Sequence, residues 1–399
     1  MRGAMDRRIF FFVMPIAFLV GETFRVPATS ETTTLGLFTV NKPPVVKIHS
    51  GDTVSLETWN SCLHAMVFNK TTPADIAQFY IKHDIQKRRG MHSLTGPVYI
   101  EGAEPGDVLE IRVLEIRLSD WGYNFLSPTQ GILTEFTKPR IKYFKFDKKN
   151  NTTEFAKGVC FHLKPFPGII ATCPPPDWPN EWPVDLPKVM GRPVDGEFNS
   201  VPPGPFAGNL DQPELQAGSV LFVPVFHKGA LVWTGDSHAM QSEGEIDVTA
   251  LETAYEAIVL QFFVHKDLKA QGVLDKTKRN GTDAFTWPII ENATHWMITG
   301  LHSDLFEAMK IAARNAIDFL GRTQGLSPQE SYQFLSMIGK FEIAEAVNVI
   351  KNVTVHIPKK AFLGVGKTQT LCAGGKYPLT PPKINENARC TPQEGKTLE

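Results

Sequence analysis

The feature that most constrains the fold is a series of runs in which β-branched residues alternate with polar ones. Alternation at every second position occurs in residues 45–58 and 98–118, and it is typical of strands with one buried face. Turn-forming residues interrupt each run, at 50–52 and at 104–107, where Pro and Gly favour tight turns. Each run is therefore predicted to form a β-hairpin. A third pair of apolar runs lies in residues 219–233.

Helical signals come late in the chain. A helix is predicted from a Ser303 cap to about Phe319, with Gly321 as its stop, because apolar residues recur there at helical spacing. Ser327 begins a second helix as part of a capping box that ends at about Gly339. Two shorter elements complete the prediction: a helix at 341–347 and a last strand near 353–357.

Strands followed by helices indicate an α+β fold dominated by β-structure, with sandwich- or barrel-like strands and a late helical portion. The predicted divisions are an N-terminal β-rich region (31–200), a C-terminal α+β region that completes the site (201–366) and a loop-rich tail (367–399). The 399 residues carry a net charge of -1, which argues against a nucleic-acid-binding face.

The N-terminus has the pattern of an export signal. Basic Arg2, Arg7 and Arg8 precede an uncharged apolar run at 9–20, which is too short for a transmembrane helix. We expect residues 1–30 to be an export signal, with its end near residue 28 and folded structure beginning near Thr34. The chain would then be periplasmic or extracellular, and would contact a membrane only through this signal.

The five cysteines are too few for a disulfide scaffold in a chain of this length. Cys160 with Cys173 and Cys372 with Cys390 are close enough in sequence to close loops after export. No Cys-x-x-Cys spacing is present, so a thiolate zinc site is not expected.

The densest group of reactive side chains lies in residues 235–245. Asp236 and His238 follow an apolar strand and are two residues apart, so both side chains can face one pocket. A carboxylate and an imidazole form part of a typical divalent-metal site. Glu243 and Glu245 are within reach and could act as general base or acid. The alternative is a polar turn with a hydrogen-bonded histidine.

A second candidate segment lies upstream, in residues 207–211. Its small residues allow close backbone approach, and Asn209 and Asp211 again alternate. An ordinary Asx turn would explain the same pattern.

Taken together and in order, these segments resemble the acetamidase/formamidase family. The matching motifs lie at residues 92–107, 165–168, 208–211 and 235–245, and the helical segment 326–332 also matches. The resemblance extends over roughly residues 45–360.

The resemblance implies hydrolysis of a short-chain carboxamide to a carboxylate and ammonia, in a β-rich fold with a bound divalent metal, most often zinc. We also expect a homo-oligomer and a small amide substrate. By motif position the implied roles are metal ligands for Asp211, Asp236 and His238, proton transfer for Glu243 or Glu245, and substrate contacts for Asn209 and Gln241.

Two departures from the family pattern keep alternatives open. Asn60 stands where an acidic residue is usual, and Ser242-Glu243 replaces a Gly-Asp pair. His64 could replace a ligand near Asn60. The alternatives are a non-catalytic secreted binding protein on the same scaffold, or a hydrolase of a lactam or carbamate C–N bond.

Overall fold

The computed structural model describes residues 21–85, 89–179, 196–268, 286–364, 368–375, 377–380 and 395–398. Two large β-sheets dominate these residues, with three α-helices beside them. The first sheet has nine strands, in the spatial order β1 (Thr23–Val26), β5 (Thr53–Leu56), β18 (Tyr255–His265), β7 (Val108–Leu118), β15 (Val220–Pro224), β19 (Ile289–Glu291), β20 (His295–His302), β22 (Lys351–Pro358) and β21 (Lys340–Glu345).

The second sheet has ten strands. Its main path is β14 (Ala207–Asn209), β12 (Phe166–Ala171), β16 (Val232–Met240), β17 (Leu251–Thr253), β8 (Trp121–Leu126), β9 (Arg140–Lys145) and β23 (Thr397–Leu398). A branch joins β16 through β6 (Ser93–Ile100), which also pairs with β2 (Thr33–Leu35) and β4 (Val46–Ile48). Two small pairs lie apart: β3 (Leu37–Thr39) with β13 (Glu197–Asn199), and β10 (Thr152–Ala156) with β11 (Val159–His162).

The two sheets share one hydrophobic core. Ile111 and Ile258 from the nine-stranded sheet and Ile170 and Trp233 from the ten-stranded sheet are all buried in it. Sheets that contribute to a common core in this way form a sandwich. The predicted fold class, α+β with dominant β-structure and late helices, is confirmed.

The hairpin predictions were wrong in one respect. The strands form as expected, but β4 belongs to the ten-stranded sheet and β5 to the nine-stranded one; β6 and β7 are divided in the same way. The turn at 50–52 is held by the Asp52 carboxylate, which accepts from the backbone N–H of His49 at 2.8 Å. These turns are therefore corners between the sheets, and so is the connection from β15 to β16.

The helices α1 (Pro73–His83), α2 (Leu305–Gln324) and α3 (Pro328–Ile338) differ in how well they were predicted. The capping box of α3 at Ser327 and Glu330 forms as expected. Helix α2 begins after an Asp304 cap instead of Ser303 and runs past Gly321 to a left-handed cap at Gly325.

Helix α1 was not predicted, although Thr72 and Asp75 form a capping box with Pro73 at its first position. The helix predicted at 341–347 was also wrong, because residues 340–345 form β21 and pair with β22. Close packing holds α2 on the nine-stranded sheet: a Cβ at Gly300 of β20 would lie 2.2 Å from the Ala308 carbonyl oxygen.

Strands from both sides of residue 200 contribute to both large sheets, so the division proposed there is not a division between sheets. Most of the proposed export signal, residues 1–20, lies outside the described residues. Folded structure was expected to begin near Thr34, but strand β1 lies before that residue and pairs with β5. Cleavage after Ala28 would remove β1. Within the described ranges, no helix is long and apolar enough to cross a membrane.

The suggested disulfide pairs do not form. Cys173 and Cys372 are buried free thiols, and each was one partner of a suggested pair. Cys390 lies outside the described residues, as does most of the predicted tail.

Candidate active site

Strand β16 in the ten-stranded sheet carries the centre of the site. Asp236 and His238 are both buried, and Nε2 of His238 lies 3.5 Å from Oδ1 of Asp236. Ser237 between them faces the other way, where its hydroxyl is 2.6 Å from the Thr58 hydroxyl. This is the alternation that the sequence predicted for a strand. It also removes Ser237 as a partner for His238.

A glycine on the neighbouring strand β12 makes room for the acidic side chains. A Cβ at Gly168 would lie 2.5 Å from Oδ1 of Asp211 and 2.6 Å from Oδ2 of Asp236. Any larger residue would therefore occupy the space where these two carboxylates meet.

Asp211 follows β14 and is fixed in a left-handed backbone conformation with φ 44°. Gln241 donates to its backbone carbonyl at 3.0 Å, and the Asn348 amide donates to its Oδ2. Asp211 thus reaches the same place as Asp236 through backbone strain and two amide side chains that hold it.

Glu252 on β17 completes the group. Its Cα pairs with that of His238 across the two strands. The Nε2 atom of His238 lies 3.4 Å from Oε1 of Glu252, 3.5 Å from Oδ1 of Asp236 and 4.0 Å from Oδ1 of Asp211. Three carboxylates therefore surround one imidazole nitrogen.

The two candidate proton carriers lie in different places. Glu245 is buried and lines the cavity, and its Oε2 has no hydrogen-bond partner within the described part of the chain. Glu243 is exposed, and its carboxylate accepts from the neighbouring Ser242 hydroxyl at 3.2 Å. The geometry brings Glu245, and not Glu243, to Asp211 and His238.

Burial and mutual repulsion shift the pKa values of these groups apart. Burial, together with the charge of Asp236, raises the pKa of Asp211 to about 8. Burial also raises the pKa of Glu245 well above its usual range, with Asp211 adding to the effect. Burial alone would raise the pKa of Asp236, but His92 and His238 hold it at about 2. Such divergent values are typical of functional sites.

His238 shows the opposite balance. Burial alone would lower its pKa, but the charges of Glu252 and Asp236 raise it well above the ordinary value. In the metal-free chain a proton on His238 partly offsets the carboxylates that surround it.

The donor set fits a divalent metal. Two overlapping groups have ligand atoms within 4.8 Å of one another: Asp236, His238 and Glu252, and Asp211, His238 and Glu245. Ligands about 2.1 Å from a tetrahedral zinc ion lie about 3.4 Å apart, close to the separations from His238 to Asp236 and Glu252. Four buried atoms of these two groups lack a hydrogen-bond partner among the described residues: Asp211 Oδ1, His238 Nδ1, Glu245 Oε2 and Glu252 Oε2.

The predicted substrate-contact residues differ in position. Asn209 lines the cavity, and its Oδ1 is buried with no hydrogen-bond partner in the described ranges. Gln241 instead holds the Asp211 and Ala344 carbonyls. Asn60 is buried near this region, whereas His64 is exposed beside Trp59.

A cavity of about 310 Å³ adjoins the acidic group. His92 lines it, with Nδ1 2.7 Å from the Ser200 hydroxyl and Nε2 3.9 Å from Oδ2 of Asp236. None of the described residues that line the cavity is lysine or arginine. The cavity therefore offers no lysine or arginine side chain to an anionic ligand.

Sequence reasoning missed Glu252 and Asn348. Glu252 stands in an apolar-polar alternation ahead of β18, but only the pairing of β17 with β16 places it opposite His238. Asn348 lies 137 residues from Asp211 and carries no local signal. Gly168 lies in the motif at 165–168 that the sequence analysis identified. Its role is to leave room for the carboxylates of Asp211 and Asp236.

Comparison with known proteins connects this geometry to a family. The chain is 29% identical to an acetamidase of Mycolicibacterium smegmatis over 199 residues, which cover 39% of this chain and 49% of that protein. It is 25% identical to a formamidase of Methylophilus methylotrophus over 327 residues, which cover 68% of this chain and 77% of that protein. The matched part thus spans about half the length of the first relative and about three quarters of the second.

Solved structures agree with the sequence matches. An acetamidase from Bacillus halodurans superposes with a TM-score of 0.68 at 26% identity, covering 86% of this chain and all of that one. The sequence profile of the acetamidase/formamidase family matches residues 37–193 and 195–363. These matches confirm the resemblance and support the predicted class of enzyme, an amidohydrolase. The chain belongs to the acetamidase/formamidase family.

Proposed function

We propose that the chain hydrolyses the C–N bond of an uncharged carboxamide, giving a carboxylate and ammonia. The observation that carries this proposal is the convergence of Asp211, Asp236, His238, Glu245 and Glu252 beside a cavity that no described lysine or arginine lines. Membership of the family supports the same reaction.

We further propose that a divalent metal, most simply zinc, is held by Asp236, His238 and Glu252, with Asp211 next to them. The separations from His238 support this set over one that contains both aspartates and no Glu252. Such an ion, when bound, polarises the amide carbonyl and lowers the pKa of water toward about 7.

Glu245 is suited to carry the proton. Burial raises its pKa above the usual range, which makes its carboxylate a stronger base than an exposed one. It would take a proton from the water whose oxygen attacks the carbonyl carbon. It would return that proton to the nitrogen as the C–N bond breaks, so that ammonia leaves in place of an amide anion. The exposed position of Glu243 disfavours that residue for this role.

Asn209 and His92 are suited to orient the substrate. The unpartnered Oδ1 of Asn209 can accept from the substrate amide N–H. The Ser200 hydroxyl fixes the His92 ring beside Asp236. The polar groups of the cavity wall are therefore set before the substrate enters.

The test is metal analysis of the purified chain, combined with ammonia release from formamide, acetamide and a cyclic amide. We expect about one zinc per chain and release of ammonia from linear amides. Removal of the metal by a chelator should abolish this release. Heat of ligand binding without ammonia would instead favour the non-catalytic binding protein. Turnover of the cyclic amide alone would favour a lactam hydrolase.

Export and assembly are separate proposals. We propose that residues 1–28 direct export, which N-terminal sequencing of the protein from its native host would test. We also propose a homo-oligomer, for which light scattering of the full-length 44.4-kDa chain should give a mass of at least twice that value.

A further inference from the structure

The cavity is larger than formamide or acetamide requires. A volume of about 310 Å³ corresponds to about ten water molecules at about 30 Å³ each. Acetamide, with its few non-hydrogen atoms, would fill less than half of this space. The remainder is therefore available to another part of the substrate.

One side of the cavity is apolar. Five residues, hereafter the apolar wall, line it: Ile76, Tyr80, Met91, Tyr123 and Phe125. Ile76, Tyr123 and Phe125 belong to a small hydrophobic cluster separate from the main core, and Tyr80 packs against them. The wall is thus a continuous apolar surface.

The hydroxyl groups of the wall are already engaged. The Tyr80 hydroxyl donates to the Met91 sulfur at 3.0 Å, and that of Tyr123 is hydrogen-bonded to Ser61. These tyrosines therefore offer ring surface to a ligand, with few free polar groups. Aromatic rings pack well against other rings and against aliphatic groups.

Helix α1 fixes this wall. Its N-terminus is held by the Thr72–Asp75 capping box, and the Tyr143 hydroxyl donates to the Thr71 carbonyl at 2.7 Å. Ile76 and Tyr80 lie one turn apart on this helix, so both can face the cavity.

The reacting end of the cavity adjoins the wall. Glu252 on β17 pairs with Tyr123 on β8, and Glu252, Tyr80 and Tyr123 line the same cavity. A substrate whose carbonyl lies at the acidic group can therefore extend its acyl side chain along the wall.

We infer that the preferred substrate is an uncharged carboxamide with a bulky apolar acyl group, aromatic or branched, rather than formamide or acetamide. This inference rests on the proposed amide hydrolysis at the same site. The reaction remains the same: water adds to the carbonyl carbon, the C–N bond breaks, and the nitrogen leaves as ammonia.

The test compares kcat/KM for phenylacetamide and acetamide with the metal-loaded full chain. Each methylene group of the substrate that is buried against the apolar wall should raise kcat/KM about fourfold. We therefore expect phenylacetamide to be favoured by at least about tenfold.

Ile76→Phe should lower this ratio by about fivefold or more, because the larger ring fills the cavity. Ile81→Phe is the matched control on the same helix: Ile81 is 80% exposed, and the ratio should not change.

The outcomes separate this inference from the proposed function. Turnover of acetamide that equals or exceeds that of phenylacetamide would overturn the inference and leave the proposed function standing. Absence of ammonia from every amide, in folded and metal-loaded protein, would overturn both. The ratio of kcat/KM for phenylacetamide to that for acetamide in the wild-type protein tests the inference even if Ile76→Phe does not fold.

Discussion

Two groups of buried charges in this protein differ in how their carboxylates are compensated. In the nine-stranded sheet, Glu110 is fully buried, accepts from Arg112 Nε, and lies 2.7 Å from Nε2 of His265. Burial alone would raise its pKa, but these partners lower it below the ordinary value. The buried carboxylate there has its compensating partners within the protein.

The site in the ten-stranded sheet is arranged in the opposite way. Asp211, Asp236, Glu245 and Glu252 are all buried, and the basic groups within ion-pair distance of them among the described residues are His92 and His238. Buried carboxylates without sufficient positive charge destabilise a fold. The second group therefore has the imbalance that the proposed metal ion, or a proton, would offset, whereas the first is compensated by its own partners in the protein.

The largest expected effect concerns proton transfer at the site. Glu245→Gln should lower kcat/KM for the best amide by about 1000-fold, or about 4 kcal/mol of transition-state stabilisation, with bound metal retained. Glu243→Gln is the matched control and should remain within about twofold, because Glu243 is exposed. Ammonia release and metal content measure both. The reverse ranking of the two variants would assign the base to Glu243.

The next effect concerns the structural group. Arg112→Met should lower the free energy of unfolding by about 3 kcal/mol, because it leaves Glu110 buried with less positive charge. Arg117→Met on the same strand is the control. Its partner Glu115 is 3.6 Å away and both are exposed, so the loss should be below about 1 kcal/mol. Urea unfolding measures both, and equal losses would show that burial does not distinguish the two pairs.

The last effect, the smallest when it is counted per pH unit, is the pH dependence of the stability of the metal-free protein. Asp211 has a raised folded-state pKa of about 8 against an ordinary 3.8, so the folded state holds its proton more tightly than the unfolded state. Stability should therefore fall as the pH rises between these values, by up to about 1.4 kcal/mol per unit. Glu110 has a lowered pKa and acts in the opposite sense: its contribution is present above its ordinary value of 4.5 and is lost as the pH falls through its folded-state pKa.

Urea unfolding of chelated wild type and of Asp211→Asn at pH 5, 6.5 and 8 separates these contributions. The wild type should lose stability relative to the variant as the pH rises. Parallel curves for the two proteins would contradict the view that Asp211 is an uncompensated acid.

The sequence predicted which side of a strand each residue faces better than it predicted which strands pair. Alternation correctly placed Asp236 and His238 on one side of β16 and Ser237 on the other. The same alternation cannot say which sheet a strand joins, and so β4 and β5 were expected to pair with each other. The period of apolar residues along a strand shows which of its faces is buried. Which sheet the strand joins depends instead on contacts between residues that are distant in sequence.

Local signals were also unequal in strength. The capping boxes at Ser327 and Thr72 form in the same way, so α1 could have been found from its sequence. No such signal could have predicted β21, where pairing with β22 determines the conformation. Glu252 and Asn348 reach the site only through tertiary structure, which leaves part of the site beyond sequence reasoning.

Anomalous diffraction from crystals of the full chain grown with zinc tests the central claim most directly. The claim is that the uncompensated carboxylates around His238 form a metal centre. We predict one strong anomalous peak at about 2.0–2.2 Å from His238 Nε2 and from carboxylate oxygens of Asp236 and Glu252. Zinc-containing crystals without a peak beside His238 would contradict it.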